Sequence, residues 1–176
     1  VAYQFNSRGF RDAEWPDNQL LNSATWCVGD SFTVGIGSPF EHTWPQVLQQ
    51  QTQIRTINVS MDGASNEWLA ETCCKIYSEI RPSNIIVMWS FFHRRQSADP
   101  GTPYSRRLSY VKSTLREDYE NFLCCRNLVR SHCTDTNLIE LVVPNWQIAL
   151  TRTAWEHIRK CHWQNSTDCC DWPLDI

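Results

Sequence analysis

The sequence predicts a doubly wound α/β sandwich: a parallel sheet with helices on both faces. Short β-branched or apolar runs recur at about 24–29, 54–60, 84–90 and 138–144. Amphipathic stretches lie between them, and parallel strands need such crossovers, which are right-handed. Each run then stops in a polar or glycine-bearing segment, where sheets of this class bind their ligands.

At 176 residues the chain has the length of one domain with a real core and no need of disulfide or metal staples. It divides into an N-terminal surface arm, residues 1–23, and a single α/β domain, residues 24–176. The arm is polar, with turn signals at Asn6-Ser7-Arg8-Gly9 and Trp15-Pro16-Asp17-Asn18, and is expected to pack through Phe5, Phe10 and Trp15. Sixteen basic and nineteen acidic residues leave a net charge of −3, which gives no footprint for nucleic acid. The pairs Arg94-Arg95 and Arg106-Arg107 read as solvated or ion-paired. No run approaches the roughly 18 apolar residues of a membrane span, so a soluble chain with no membrane partner is expected. No basic start followed by an apolar core marks a secretory signal, and the residues fix no compartment.

Nine cysteines are many for this length, but six of them form adjacent doublets, which suit neither spaced disulfides nor a metal knuckle. The tail set His157, Cys161, His162, Cys169 and Cys170 has zinc-capable atoms at spacings of no standard site. Free thiols are expected, with no metal and no organic cofactor. Of two N-x-S/T sequons, Asn58 falls in a strand end expected to be buried and Asn165 in the tail.

The first strand, about 24–29, runs into Gly29-Asp30-Ser31 and then a loop bearing Gly35 and Gly37. Thr43-Trp44-Pro45-Gln46 predicts a helix start, with Thr43 as N-cap, Gln46 closing a capping box and Val47 and Leu48 turned inward. Ile54 to Ser60 alternates as a second strand and stops at Met61-Asp62-Gly63-Ala64-Ser65-Asn66. The next helix should bury Trp68, Leu69, Thr72 or Cys73, Ile76, Tyr77 and Ile80, and Pro82 ends it. Asn84 to Ser90 is nearly continuous in apolar residues, as a strand covered on both faces would be. A long helix is expected over about 104–131, with Leu108, Val111, Leu115, Tyr119, Phe122 and Val129 as its stripe. The fourth strand is Leu138 to Pro144, and Thr153 to Glu156 has capping-box form for a last helix to about 160.

Ser31 is the candidate nucleophile, because a short apolar strand hands it to the crevice where the polar strand ends converge. Asp30, Asn66, Ser90 and Trp146 stand at the same edge and are the candidate substrate-binding residues, with Trp146 placed to stack on a sugar ring. His93 follows the third strand and lines the same edge. His42, His132 and His157 read as loop, helix-end and solvent-facing residues. Thr33 stands where a G-x-S-x-G elbow needs its second glycine, which argues against an α/β-hydrolase layout.

Over about 24–171 these residues resemble the SGNH, or GDSL-type, hydrolases, a flavodoxin-like three-layer group of esterases, lipases, thioesterases and carbohydrate deacetylases. Gly29-Asp30-Ser31 resembles the family's first block, and Asn58 to Ser65 resembles the second, with Gly63 in the place of its glycine. The resemblance implies Ser31 as nucleophile, an oxyanion hole formed by the N–H groups of Ser31 and Gly63, and a small-molecule or glycan ester or acetyl substrate. The third block, G-x-N-D, is replaced by Ser90-Phe91-Phe92-His93, with Phe92 where the family has asparagine. The last block, D-x-x-H, is matched by Asp168-Cys169-Cys170-Asp171, which supplies Asp168 but no histidine. His93 or His162 is then the replacement base, unless a later histidine follows or the fold has kept its shape without the reaction, as a binding or assembly protein would. Around Phe40 to Pro45 and His93 to Arg95 the sequence is similar to a group of marine bacterial and phage proteins that share the altered third block.

Overall fold

The computed structural model describes residues 2–96 and 113–143. Short helix α1 (Asn18–Leu21) leads into β1 (Thr25–Gly29), then α2 (Ser31–Val34), a 3-10 turn (Phe40–His42), α3 (Trp44–Thr52) and β2 (Thr56–Ser60). Helix α4 (Asn66–Ile80), β3 (Asn84–Trp89), α5 (Leu115–His132) and β4 (Asn137–Val142) follow. The four strands form one parallel sheet in the order β2-β1-β3-β4. Thr25 pairs with Thr56 on one side and with Asn84 on the other, so β1 lies at the centre and its carboxyl end reaches the middle of the sheet edge.

Pleat alternation assigns the two faces. Thr56 Oγ1 donates to Pro45 O of α3 at 2.9 Å, and Asn58 Nδ2 donates to Thr33 O of α2 at 3.0 Å, so α2 and α3 cover one face. Trp89 packs edge-on against Phe122 of α5 at 5.6 Å, and α4 packs beside α5, so those two cover the other. This is the predicted double winding. The core between them holds Trp26, Ile57, Leu69, Ile85, Val87, Trp89 and Phe122, each at most 1% exposed.

Strand β2 was expected to alternate, yet all five of its residues are buried. As an edge strand it would leave outward N–H groups bare, and these are taken up by side chains: Thr56 N donates to Gln49 Oε1 at 2.9 Å and Asn58 N to Asp12 Oδ2 at 3.3 Å. Asp12 comes from the N-terminal segment and pairs with Arg55 at 2.8 Å. Burial pushes the Asp12 carboxyl above its usual range, against the pull of Arg55 and of the Asn58 N–H. The segment therefore binds the sheet edge with buried charge. Of its expected anchors Phe10 and Trp15 stack on each other at 5.9 Å, whereas Phe5 is 58% exposed.

Three local expectations differ from the structure. Thr43 does cap α3 in sequence, but its hydroxyl donates to Phe40 O, so no capping box forms, and Pro45 and Gln46 are buried in place of Val47 and Leu48. In α4 the buried row is Asn66, Leu69, Ala70, Cys73, Ile76 and Tyr77, leaving Trp68, Thr72 and Ile80 half-buried. Helix α5 starts at Leu115 behind a full capping box of Thr114 and Glu117; Leu108 and Val111 lie outside the described residues. Among the described residues no helix is long and apolar enough to cross a membrane.

The described cysteines are free thiols, and each of the two described doublets splits across a helix surface: Cys73 is buried beside half-buried Cys74, and Cys125 beside exposed Cys124. Burial pushes the Cys125 and Cys133 thiols up to about 12.

Candidate functional site

Ser31 stands at the carboxyl end of the central strand, half-buried, as the first residue of α2. The expected loop after Gly29-Asp30-Ser31 is this one-turn helix, started by Asp30, whose Oδ1 accepts from Phe32 N at 3.1 Å. Two glycines make the turn possible. A Cβ on Gly29 would fall 1.9 Å from Thr33 Oγ1, so only glycine lets the helix fold back this closely. Gly35 ends α2 with φ +75°, the left-handed conformation that glycine adopts without penalty, and its backbone packs against Thr43.

Arg11 secures the far end of the turn. It is 2% exposed and donates to Val34 O at 3.0 Å and Ser38 O at 2.7 Å, and also to Gly35 O. Neither Arg11 nor Asp12 was marked by the sequence, because charged residues in a polar segment carry no local sign of burial.

The side chains beside Ser31 converge on Asp30, which has no exposed surface. Its Oδ2 accepts from Ser90 Oγ at 2.7 Å and from Arg94 Nη1 at 2.8 Å, and Arg94 Nη1 also reaches Ser90 Oγ at 3.0 Å. Asn66 completes the frame: its Oδ1 accepts from Ser90 N at 2.9 Å and its Nδ2 lies 3.4 Å from Ser90 O and Phe91 O. The structure brings Asp30, Asn66 and Ser90 together, and all three are buried and share hydrogen bonds with one another. Arg94, read from sequence as solvated or ion-paired, is ion-paired and points inward; Arg95 pairs with Asp118 at 2.9 Å.

The β1–β2 ladder continues past the strands, with Met61 N donating to Gly29 O at 3.1 Å. This holds the Met61 to Ala64 turn beside the Ser31 turn, with buried Gly63 at φ +70°. Among the described residues, no turn, cap or loop hydrogen bond uses the N–H of Ser31 or of Gly63, and the Ser31 hydroxyl has no partner.

In the turn after β3, Phe92 is 2% exposed and stacks on Phe122 at 4.6 Å, so it serves the core and not the crevice. Phe91 turns the other way, 6.3 Å from the Phe32 ring, with Arg94 over it at 4.8 Å and His93 at 5.7 Å. His93 is half-buried, and its Nδ1 is buried without a hydrogen-bond partner among the described residues. Phe32 and Ile36, each just over half exposed, give the Ser31 turn an apolar lip. His42 lies in the 3-10 turn, and His132 meets Ser78 Oγ at 2.9 Å on the far helix pair. Trp146, Asp168 and His162 lie outside the described residues.

No family model and no curated protein matches the sequence. Solved structures do match the fold. One is a protein assigned to the G-D-S-L lipolytic family from Desulfitobacterium hafniense, at TM-score 0.53 and 18% identity over 80% of this chain and 73% of that one. Another is TesA, at TM-score 0.50 and 14% identity over 76% of this chain and 67% of that one. The chain has an SGNH-hydrolase-like α/β fold.

Proposed function

We propose that the protein is a serine hydrolase of SGNH type that cleaves an ester or acetyl group from a small molecule or glycan. The observation that carries this is half-buried Ser31 at the carboxyl end of the central strand, with the turn that bears Gly63 held alongside by the Met61 N to Gly29 O hydrogen bond. In this reading Ser31 Oγ attacks the carbonyl carbon, and the oxyanion is held by the N–H groups of Ser31 and Gly63, each worth about 3 kcal/mol in the transition state. The Ser31 proton passes to a base that returns it to the leaving alcohol, and water then resolves the acyl-enzyme. His93, with its unpartnered buried Nδ1, is the base the described residues offer. Asp168 is the carboxylate that the family resemblance supplies. Asp30, Asn66 and Ser90 act by positioning the turn, and Phe32, Ile36 and Phe91 form a wall for the acyl group. Likeness to the marine bacterial and phage group rests on the two sequence segments named above.

Hydrolysis of p-nitrophenyl acetate tests this reading. Wild type should turn over, Ser31→Ala should lose at least 100-fold, and His93→Gln should lose activity with the folded state kept. Equal rates for wild type and Ser31→Ala would remove the mechanism.

A second reading has its own support. Phe92 occupies the core where the family carries an oxyanion donor, and the Ser31 hydroxyl has no described partner. A binding or assembly protein that keeps this fold without turnover would look the same, and would show no activity in wild type.

A further inference from the structure

The packed pair α4 and α5 holds thiols that the strand-end crevice does not use. Cys74 lies in the middle of α4, and Cys133 caps the end of α5. Neighbouring residues of a helix do not face the same way, so Cys73 fills the core row of α4 with no exposed surface while Cys74 stays half-buried at its side.

Contacts on both sides bring Cys133 to Cys74. Cys133 Sγ lies 4.0 Å from Cys73 O, the carbonyl bonded to Cys74 N. Ser78, one turn beyond Cys74 on the same helix face, meets His132, the residue before Cys133, with Oγ 2.9 Å from Nε2. Past Cys133, Tyr77 Oη of α4 donates to Asp135 Oδ2 at 3.2 Å and lies 3.5 Å from Thr134 Oγ1. Between these clamps the Cys74 and Cys133 thiols share a hydrogen bond. The bond has a direction: the Cys133 S–H donates, which favours the thiolate at Cys74 and keeps the proton on Cys133. Burial opposes ionisation at both sulfurs. Half-buried Cys74 is therefore the sulfur that a reagent in solvent meets first, and Cys133, 4% exposed, stands behind it.

We propose that Cys74 and Cys133 are an oxidisable pair that closes into a disulfide between α4 and the end of α5 when the chain meets a low-molecular-weight disulfide such as oxidised glutathione. The Cys74 thiolate attacks one sulfur of the oxidant, whose S–S bond breaks, and the first glutathione leaves as a thiolate. Cys133 gives up its proton and attacks the Cys74 sulfur, and the second glutathione leaves. The two thiol protons of the protein end on two glutathione thiols; the protein has lost two electrons and the oxidant has gained them. The new bond closes a loop that contains β3 and α5, which restrains the unfolded chain and stabilises the folded one. The pair works independently of any chemistry at Ser31.

The test exposes the reduced, folded full chain to oxidised glutathione in mildly alkaline buffer, blocks the remaining thiols, and maps the sulfurs by mass spectrometry of a non-reducing digest. A peptide pair joined through Cys74 and Cys133 is expected, together with an upward shift of the urea midpoint that dithiothreitol reverses. Exposed Cys124 is the internal control and should stop at its glutathione adduct. In Cys133→Ser, Cys74 should likewise stop at the adduct and the midpoint should not rise, whereas Cys73→Ala should still form the link. The proposal is overturned if Cys74 of the folded wild type stays free or stops at the adduct, if Cys133 pairs with any other cysteine, or if the link forms only in urea.

Discussion

The turn after β1 and the turn after β3 meet over one carboxylate, Asp30, yet they are built by opposite means. The first is made of small residues: Gly29 lets Thr33 fold back onto the strand, Gly35 reverses the chain, and Ser31 is left half-exposed. The second is made of large ones: Phe92 is driven into the core against Phe122, and this anchor swings Arg94 back over Phe91 onto Asp30. The first turn presents a half-buried hydroxyl, the proposed nucleophile, and the second supplies a charge and an aromatic ring beside it. The first follows from short-range backbone rules, whereas the second depends on what the rest of the fold packs behind it.

Five substitutions sharpen that contrast, and each is read by urea denaturation. Phe92→Asn writes the family's third-block residue into this chain, and should cost about 4 kcal/mol because the side chain lands in the core. It should bring no gain in reactivity at Ser31; a gain would mean that residue 92 can face the crevice. Arg94→Gln removes the partner of a fully buried carboxylate and should cost about 3 kcal/mol. Asp30→Asn in the same chain should recover part of that loss, with a coupling of about 1–3 kcal/mol; strict additivity would dissolve the link between the turns. Gly29→Ala should cost about 1–3 kcal/mol through overpacking against Thr33. Thr114→Ala, in the α5 capping box and remote from both turns, should cost about 1 kcal/mol and leave Ser31 reactivity as it was.

The same division explains what could be read from the sequence. The four strands, their parallel sense and the Gly29-Asp30-Ser31 turn were legible because apolar runs, crossover lengths and glycines are local signals. The Thr114-Leu115-Arg116-Glu117 cap was equally local; starting the long helix near residue 104 hid it. Arg11 and Asp12 were not legible, since what makes their charge tolerable is carbonyl groups 23 or more residues away and the bare edge of β2. The Thr43 box failed for a related reason: the turn before α3 offered its hydroxyl the Phe40 carbonyl first. Asp30, Asn66 and Ser90 were placed at the right edge, but that they would satisfy one another, and that Arg94 would join them, is a property of the assembled sheet.

Labelling with a fluorophosphonate probe, mapped by mass spectrometry of the full chain, tests the nucleophile most directly. A single adduct on Ser31, absent from a folded Ser31→Ala variant, is the result this account predicts. A folded wild-type protein that takes up no probe, or an adduct that persists in Ser31→Ala, would contradict it.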